Sequence, residues 1–178
     1  MSDYPKLEIS LKVVATAIAV FGVFTYFLDQ SQTRAASEKS RSLAFVEKFA
    51  SVDVVEARSR LLAYWREYPE FVSYSRANRL SSREYANFVR ATYPAHDDRV
   101  DVDEALFRMQ VFFDELSYCH FSGICDKGII ESYFCEYTIK FSNVYGTFYR
   151  LLAEEIGSKP LDQEVDRLSA HCAQIEKI

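Results

Sequence analysis

The sequence predicts an all-α protein: one N-terminal transmembrane helix, then a cytosolic helical bundle containing a long antiparallel helix hairpin. Three observations carry this. Only 5 Gly and 4 Pro punctuate the 178 residues, which disfavours a many-turned β-sandwich or barrel. An apolar run occupies residues 9–28. Beyond residue 100, apolar side chains recur at alternating spacings of four and three, the period of one helix face. The chain is 49% apolar and 26% charged, so it can bury a core, and its net charge of −5 excludes a polycation.

The run from Ile9 to Leu28 reads ISLKVVATAIAVFGVFTYFL. It is about 20 residues, or about 30 Å as a helix, which matches a bilayer core. It ends in the bulky Phe24, Tyr26, Phe27 and Leu28, which favours an uncleaved anchor over a signal peptide. Tyr4 and Tyr26 lie where an interfacial belt places aromatics. The boundaries that follow are residues 1–29 for tail and membrane helix, 30–50 for a helical stalk and 51–178 for the helical domain. Lys6 and Lys12 stand on the N-terminal side, against Arg34, Lys39, Arg41 and Lys48 on the other. That bias places the C-terminal domain in the cytoplasm. The four scattered cysteines read as free thiols, which a reducing cytosol preserves.

On a helical wheel, Glu8, Lys12, Ala15, Thr16, Ala19, Gly22, Val23 and Tyr26 share a small or polar side, opposite a bulky apolar one. Three readings stay open. Lys12 snorkels to the headgroups and the small residues are incidental. The small face mediates self-association. Copies of this face line a water-filled pore, where a Lys12 ring favours anions unless Glu8 offsets it.

Ser31 to Ala50 is helix material with Leu43, Val46 and Phe49 on one face, and continues the membrane helix as a stalk. Asp53-x-x-Glu56 and Ser81-x-x-Glu84 read as capping boxes. The first precedes Val54, Ala57, Leu61, Trp65 and Tyr68 at helical spacing, before Pro69 limits the chain. The second precedes Tyr85, Phe88 and Val89, before Pro94. Two longer seams follow: Val102, Leu106, Met109, Phe113, Leu116 and His120, then Ile130, Phe134, Tyr137, Phe141, Val144, Phe148 and Leu151. The short link Gly123–Gly128 makes these helices antiparallel neighbours. Gly157 and Pro160 end the second, and a last helix runs from Leu161 to Ile175.

Few residues suggest chemistry. Cys119-His120, Cys125, Cys135 and His171-Cys172 bring zinc to mind, but zinc sites use C-x₂₋₄-C pairs. Here the close pair is C-x₅-C and Cys135 falls inside a helix, so neither metal nor cofactor is expected. Cys119 and His120, adjacent on a helix, point about 100° apart and form no nucleophile pair. Asp97, Asp98, Asp101, Asp103 and Glu104 suit a helix N-terminus. No catalytic residue is assigned and no enzyme is expected.

Arginine is the remaining anomaly. Arg58, Arg60, Arg66, Arg76, Arg79, Arg83, Arg90 and Arg99 concentrate in one stretch, interleaved with Tyr64, Trp65, Tyr68, Tyr74 and Tyr85. Forked donors beside aromatic faces suit a nucleotide or oligonucleotide, with Arg58 to Arg90, Tyr64 and Trp65 as the ligand-binding set. The same composition suits a solvated face over buried aromatics, a subunit interface or anionic lipid.

The stalk RSLAFVEKF, then ARSRLL, then ALFRMQVFFDELSYCHFSGICDKGIIESYFCEYTIKF resembles a bacterial family of membrane-anchored helical domains of unknown function. The layout also resembles membrane effectors of phage-defence operons, including channel subunits of the Hailong type. There a nucleotidyltransferase partner makes the oligonucleotide that controls an oligomeric channel. The resemblance implies the bacterial inner membrane, a tetramer-like homo-oligomer, a pore built from the first helix and a cytosolic site for an anionic ligand. The function expected from it is a ligand-gated channel or membrane-disrupting effector in anti-phage defence. The alternative is a membrane-tethered helical interaction or adaptor module that docks a cytosolic partner protein, without pore or catalysis.

Overall fold

The computed structural model describes the backbone of residues 4–77, 80–157 and 163–175, and their side chains apart from 4–20, 22–24 and 76. The elements are α1 (Tyr4–Phe49), α2 (Val52–Arg66), α3 (Pro69–Ala77), α4 (Ser82–Thr92), a 3₁₀ turn (Tyr93–Ala95), α5 (Arg99–Phe121), α6 (Lys127–Ile156) and α7 (Gln163–Ile175). No strand occurs among the described residues, so the all-α class holds.

α1 is one uninterrupted helix of 46 residues. At 1.5 Å per residue it is about 70 Å long, more than twice a bilayer core. Residues 25–37 are exposed, whereas the last turns belong to the bundle. Phe45, Val46 and Phe49 pack on the core, and Ser42 is fully buried. The Ser42 Oγ accepts the Asp126 N–H at 2.8 Å and donates to the Glu38 carbonyl at 3.0 Å. That clasp fixes α1 to the turn between α5 and α6. Among the described residues no helix is long and apolar enough to cross a membrane. Most side chains of the expected span, residues 9–20 and 22–24, lie outside the described residues.

The predicted hairpin is present along its whole length. Arg99 pairs with Glu155 at one end. The Tyr149 hydroxyl donates to the Leu106 carbonyl at 2.6 Å, and the rings of Phe113 and Phe141 are 4.9 Å apart. His120 meets Glu131 at the other end, 2.9 Å away. Descending numbers on α5 thus meet ascending numbers on α6. The buried face of α5 is wider than its seam, adding Ala105, Phe112, Ser117 and Cys119, because α2 and α7 also pack on α5.

Local signals explain most boundaries. Ser81 and Glu84 form the reciprocal box, with Ser81 N–H to Glu84 Oε2 at 2.9 Å and Glu84 N–H to Ser81 Oγ at 3.2 Å. Asp126 caps α6 by accepting the Ile129 N–H at 3.1 Å. Gly123 and Gly157 adopt φ of 69° and 65°, the left-handed conformation that ends a helix at least cost with glycine. Three expectations need correction. α2 begins at Val52 with Ser51 as its cap, so Asp53 and Glu56 form no box. Asp53 instead sits in the first turn, where the helix dipole favours an anion, and Glu56 pairs with Arg60 one turn on. Pro69 opens the unexpected α3, because proline at the first helical position forfeits only an unused N–H.

The third correction concerns the cysteines. None is free: Cys119 bonds to Cys125, and Cys135 to Cys172. The C-x₅-C spacing spans a helix end and its return turn, which brings the Cα atoms to 5.3 Å. The second bridge joins the first third of α6 to the last turns of α7, with Cα atoms 5.1 Å apart.

Candidate functional site

The structure distributes the arginine stretch rather than gathering it. Arg58 is half-buried, its guanidinium 4.3 Å from the centre of the Phe49 ring and 5.6 Å from that of Tyr137. Arg60 pairs with Glu56 at 2.7 Å and with Asp101 and Glu104 at 3.4 Å. Arg90 lies 3.9 Å from Glu154. Arg66 and Arg83 are exposed on different helices, α2 and α4. The Arg76 side chain and Arg79 lie outside the described residues. The acids at 101, 103 and 104 serve these ion pairs: Asp103 receives the Tyr93 hydroxyl and lies 3.7 Å from Arg99. Asp98 occupies the cap position of α5 without making a side-chain cap bond.

Tyr64 and Trp65 belong to the core instead of a stacking surface. Tyr64 is buried, and its hydroxyl lies 2.7 Å from Thr92 Oγ1. Burial pushes its pKa up to about 12. Trp65 donates to the Tyr145 hydroxyl at 3.1 Å and stacks among Phe71, Tyr85 and Phe88. This cluster joins α2, α3, α4 and α6, which accounts for much of the high aromatic content.

The expected pore or oligomer face lies mostly outside the described side chains: Glu8, Lys12, Ala15, Thr16, Ala19, Gly22 and Val23. Its last member, Tyr26, is exposed at 64%, with Phe21 at 68% and Phe27 at 63%. Nothing else among the described residues covers these rings. Burying them in lipid or against another copy would remove a substantial apolar area from water.

A different set of side chains does converge. His120 from α5, Glu131 from α6 and His171 from α7 meet near the hairpin turn. His120 Nε2 and His171 Nε2 stand 2.9 and 3.0 Å from the same oxygen, Glu131 Oε1. Their ligand-capable atoms all lie within 4.8 Å of one another. The His120 side chain is 1% exposed, while Glu131 and His171 are 27% and 32% exposed. Burial opposes the Glu131 charge, but hydrogen bonds from His171 and His120 prevail and hold its carboxyl below the usual range. The His120 Nδ1 is buried without a hydrogen-bond partner. Phe121, capped by Arg167 at 4.0 Å, stands edge-on to both imidazoles.

Sequence reading placed His120 on the core seam and set His171 aside with the cysteines, and it missed Glu131. A signal existed: His120 adjoins Cys119, His171 adjoins Cys172, and Glu131 stands one turn before Cys135. Its meaning required the pairing of the cysteines. Comparison with known proteins finds no matching family model, no matching curated protein and no matching solved structure.

Proposed function

We propose that this chain is a single-pass membrane protein that holds a disulfide-stapled helical bundle at the membrane surface and acts through contacts of that bundle, without catalysis. The observation that carries the reading is the exposure of Phe21, Tyr26, Phe27 and Leu28 on a helix that continues unbroken into the core. An apolar run of this length is stable in lipid, and exposed rings at its end are costly in water. The Ser42–Asp126 clasp makes the tether stiff, so the position of α1 in the membrane fixes the position of the bundle.

The two bridges favour placing the bundle on the oxidising side of the membrane, opposite to the cytoplasmic placement expected from the lysines and arginines. All four cysteines are paired, whereas a reducing cytosol keeps thiols free. The charge bias is only four against two, and such a bias sets orientation statistically. Nothing among the described residues adds to the expectation of a gated channel, a defence role or a nucleotide sensor.

Alkaline carbonate extraction tests the anchor. The full-length protein stays with the membrane pellet, and the double variant Ala17→Asp, Phe21→Asp moves to the supernatant. Release of the unaltered protein by carbonate would remove the reading.

A further inference from the structure

The cluster of His120, Glu131 and His171 has a chemistry of its own, independent of the anchor. We infer that these three side chains form a binding site for one divalent transition-metal ion, with zinc the best match. Two borderline imidazoles and one hard carboxylate form a donor set that zinc takes, and three protein ligands leave a fourth position for water.

The distances are near those required. With bonds of about 2.0–2.1 Å, tetrahedral zinc holds neighbouring ligand atoms about 3.3 Å apart. The two Nε2 atoms stand 2.9 and 3.0 Å from Glu131 Oε1 and within 4.8 Å of each other, so modest side-chain rotations bring all three to zinc-ligand spacing. Without metal, both imidazoles donate to one carboxylate oxygen. With metal, each Nε2 and the carboxylate oxygen offer lone pairs to the cation, so each neutral ring gives up its Nε2 hydrogen and takes one at Nδ1 by exchange with water. The exchange is neutral in protons and electrons. The buried Nδ1 of His120 lies on the ring edge away from the cluster and has no hydrogen-bond partner, so it is not a ligand and leaves Nε2 as the atom that faces the ion.

Each ligand is also held in place. His120 adjoins Cys119, whose bridge to Cys125 fixes the end of α5. His171 adjoins Cys172, and Glu131 stands one turn from Cys135; the bridge between these cysteines ties α6 to α7 beside the cluster. The three ligand-bearing helices are therefore set before any ion arrives, which lowers the ordering cost of binding. Partial exposure of Glu131 and His171 gives the ion a path from solvent.

The test uses full-length protein with both bridges intact, verified by the absence of maleimide-reactive thiols, since free cysteines would bind metal themselves. Cobalt(II) is titrated and followed by visible absorption, then displaced with zinc. The expected result is one ion per chain with the strong visible bands of four-coordinate cobalt. His171→Gln and Glu131→Gln should each weaken zinc binding at least tenfold, while Asp98→Asn leaves it unchanged. Where a variant loses its helical circular dichroism, zinc protection of His171 against diethyl pyrocarbonate in the unaltered protein replaces it as the readout. Absence of stoichiometric binding at micromolar metal, binding unaffected by both folded variants, or lack of protection would each overturn the site.

Discussion

Ser42 shows how one hydroxyl couples α1 to the bundle. It is fully buried and joins the Glu38 carbonyl to the Asp126 N–H, two groups far apart in sequence. Ser42→Ala leaves the Asp126 N–H with only a long contact to Glu38, at 3.4 Å. We expect the variant to lose about 1–2 kcal/mol, the cost of a buried donor that loses its partner, measured by urea unfolding in mild detergent. Tyr64 supplies a pH prediction. Burial raises its folded pKa to about 12, so its contribution is fully present below the unfolded value of about 10 and is lost as pH rises through the folded one. Helical circular dichroism should therefore hold steady from neutrality to about pH 10 and fall above it as the tyrosine ionises. Phe148 is the hub of the same region, within 6 Å of the ring centres of Tyr64, Trp65, Tyr93 and Tyr145. Phe148→Ala should cost about 3–5 kcal/mol by the same unfolding measurement.

At the level of elements, helix periodicity made the architecture readable. The seams of α5 and α6 identified residues that are buried or half-buried without exception, and the glycines at 123 and 157 marked the ends. What periodicity missed has physical reasons. α3 was hidden because proline at a first helical position looks like a stop. The cysteine pairing was hidden because it depends on which helices become neighbours: Cys172 reaches Cys135 only once α7 has folded back on α6. The two bridges should differ in effect. Closing the loop of 37 residues between Cys135 and Cys172 is worth about 3–4 kcal/mol in a chain-entropy model, against about 2 kcal/mol for the short Cys119–Cys125 loop. The paired variant Cys135→Ser, Cys172→Ser should therefore lower the urea midpoint more than Cys119→Ser, Cys125→Ser does.

For the whole molecule, the arrangement is a long α1 whose end forms part of a disulfide-tied bundle. The candidate site was far less legible than the fold. A local count of arginines drew attention to residues 58–99, but arginine has long reach and abundant acids nearby, so Arg60, Arg90 and Arg99 find ion pairs with other helices. The cluster that does converge draws single residues from three helices, a coincidence in space that no sequence window displays. Its scaffold is the same pair of bridges on which the proposed placement on the oxidising side of a membrane rests. The most direct measurement is therefore disulfide mapping of the full-length protein, with thiols blocked in intact cells before lysis. The account predicts peptides linked as Cys119–Cys125 and Cys135–Cys172 and no alkylated cysteine. Four alkylated cysteines would contradict it, and would remove the argument for an oxidising compartment.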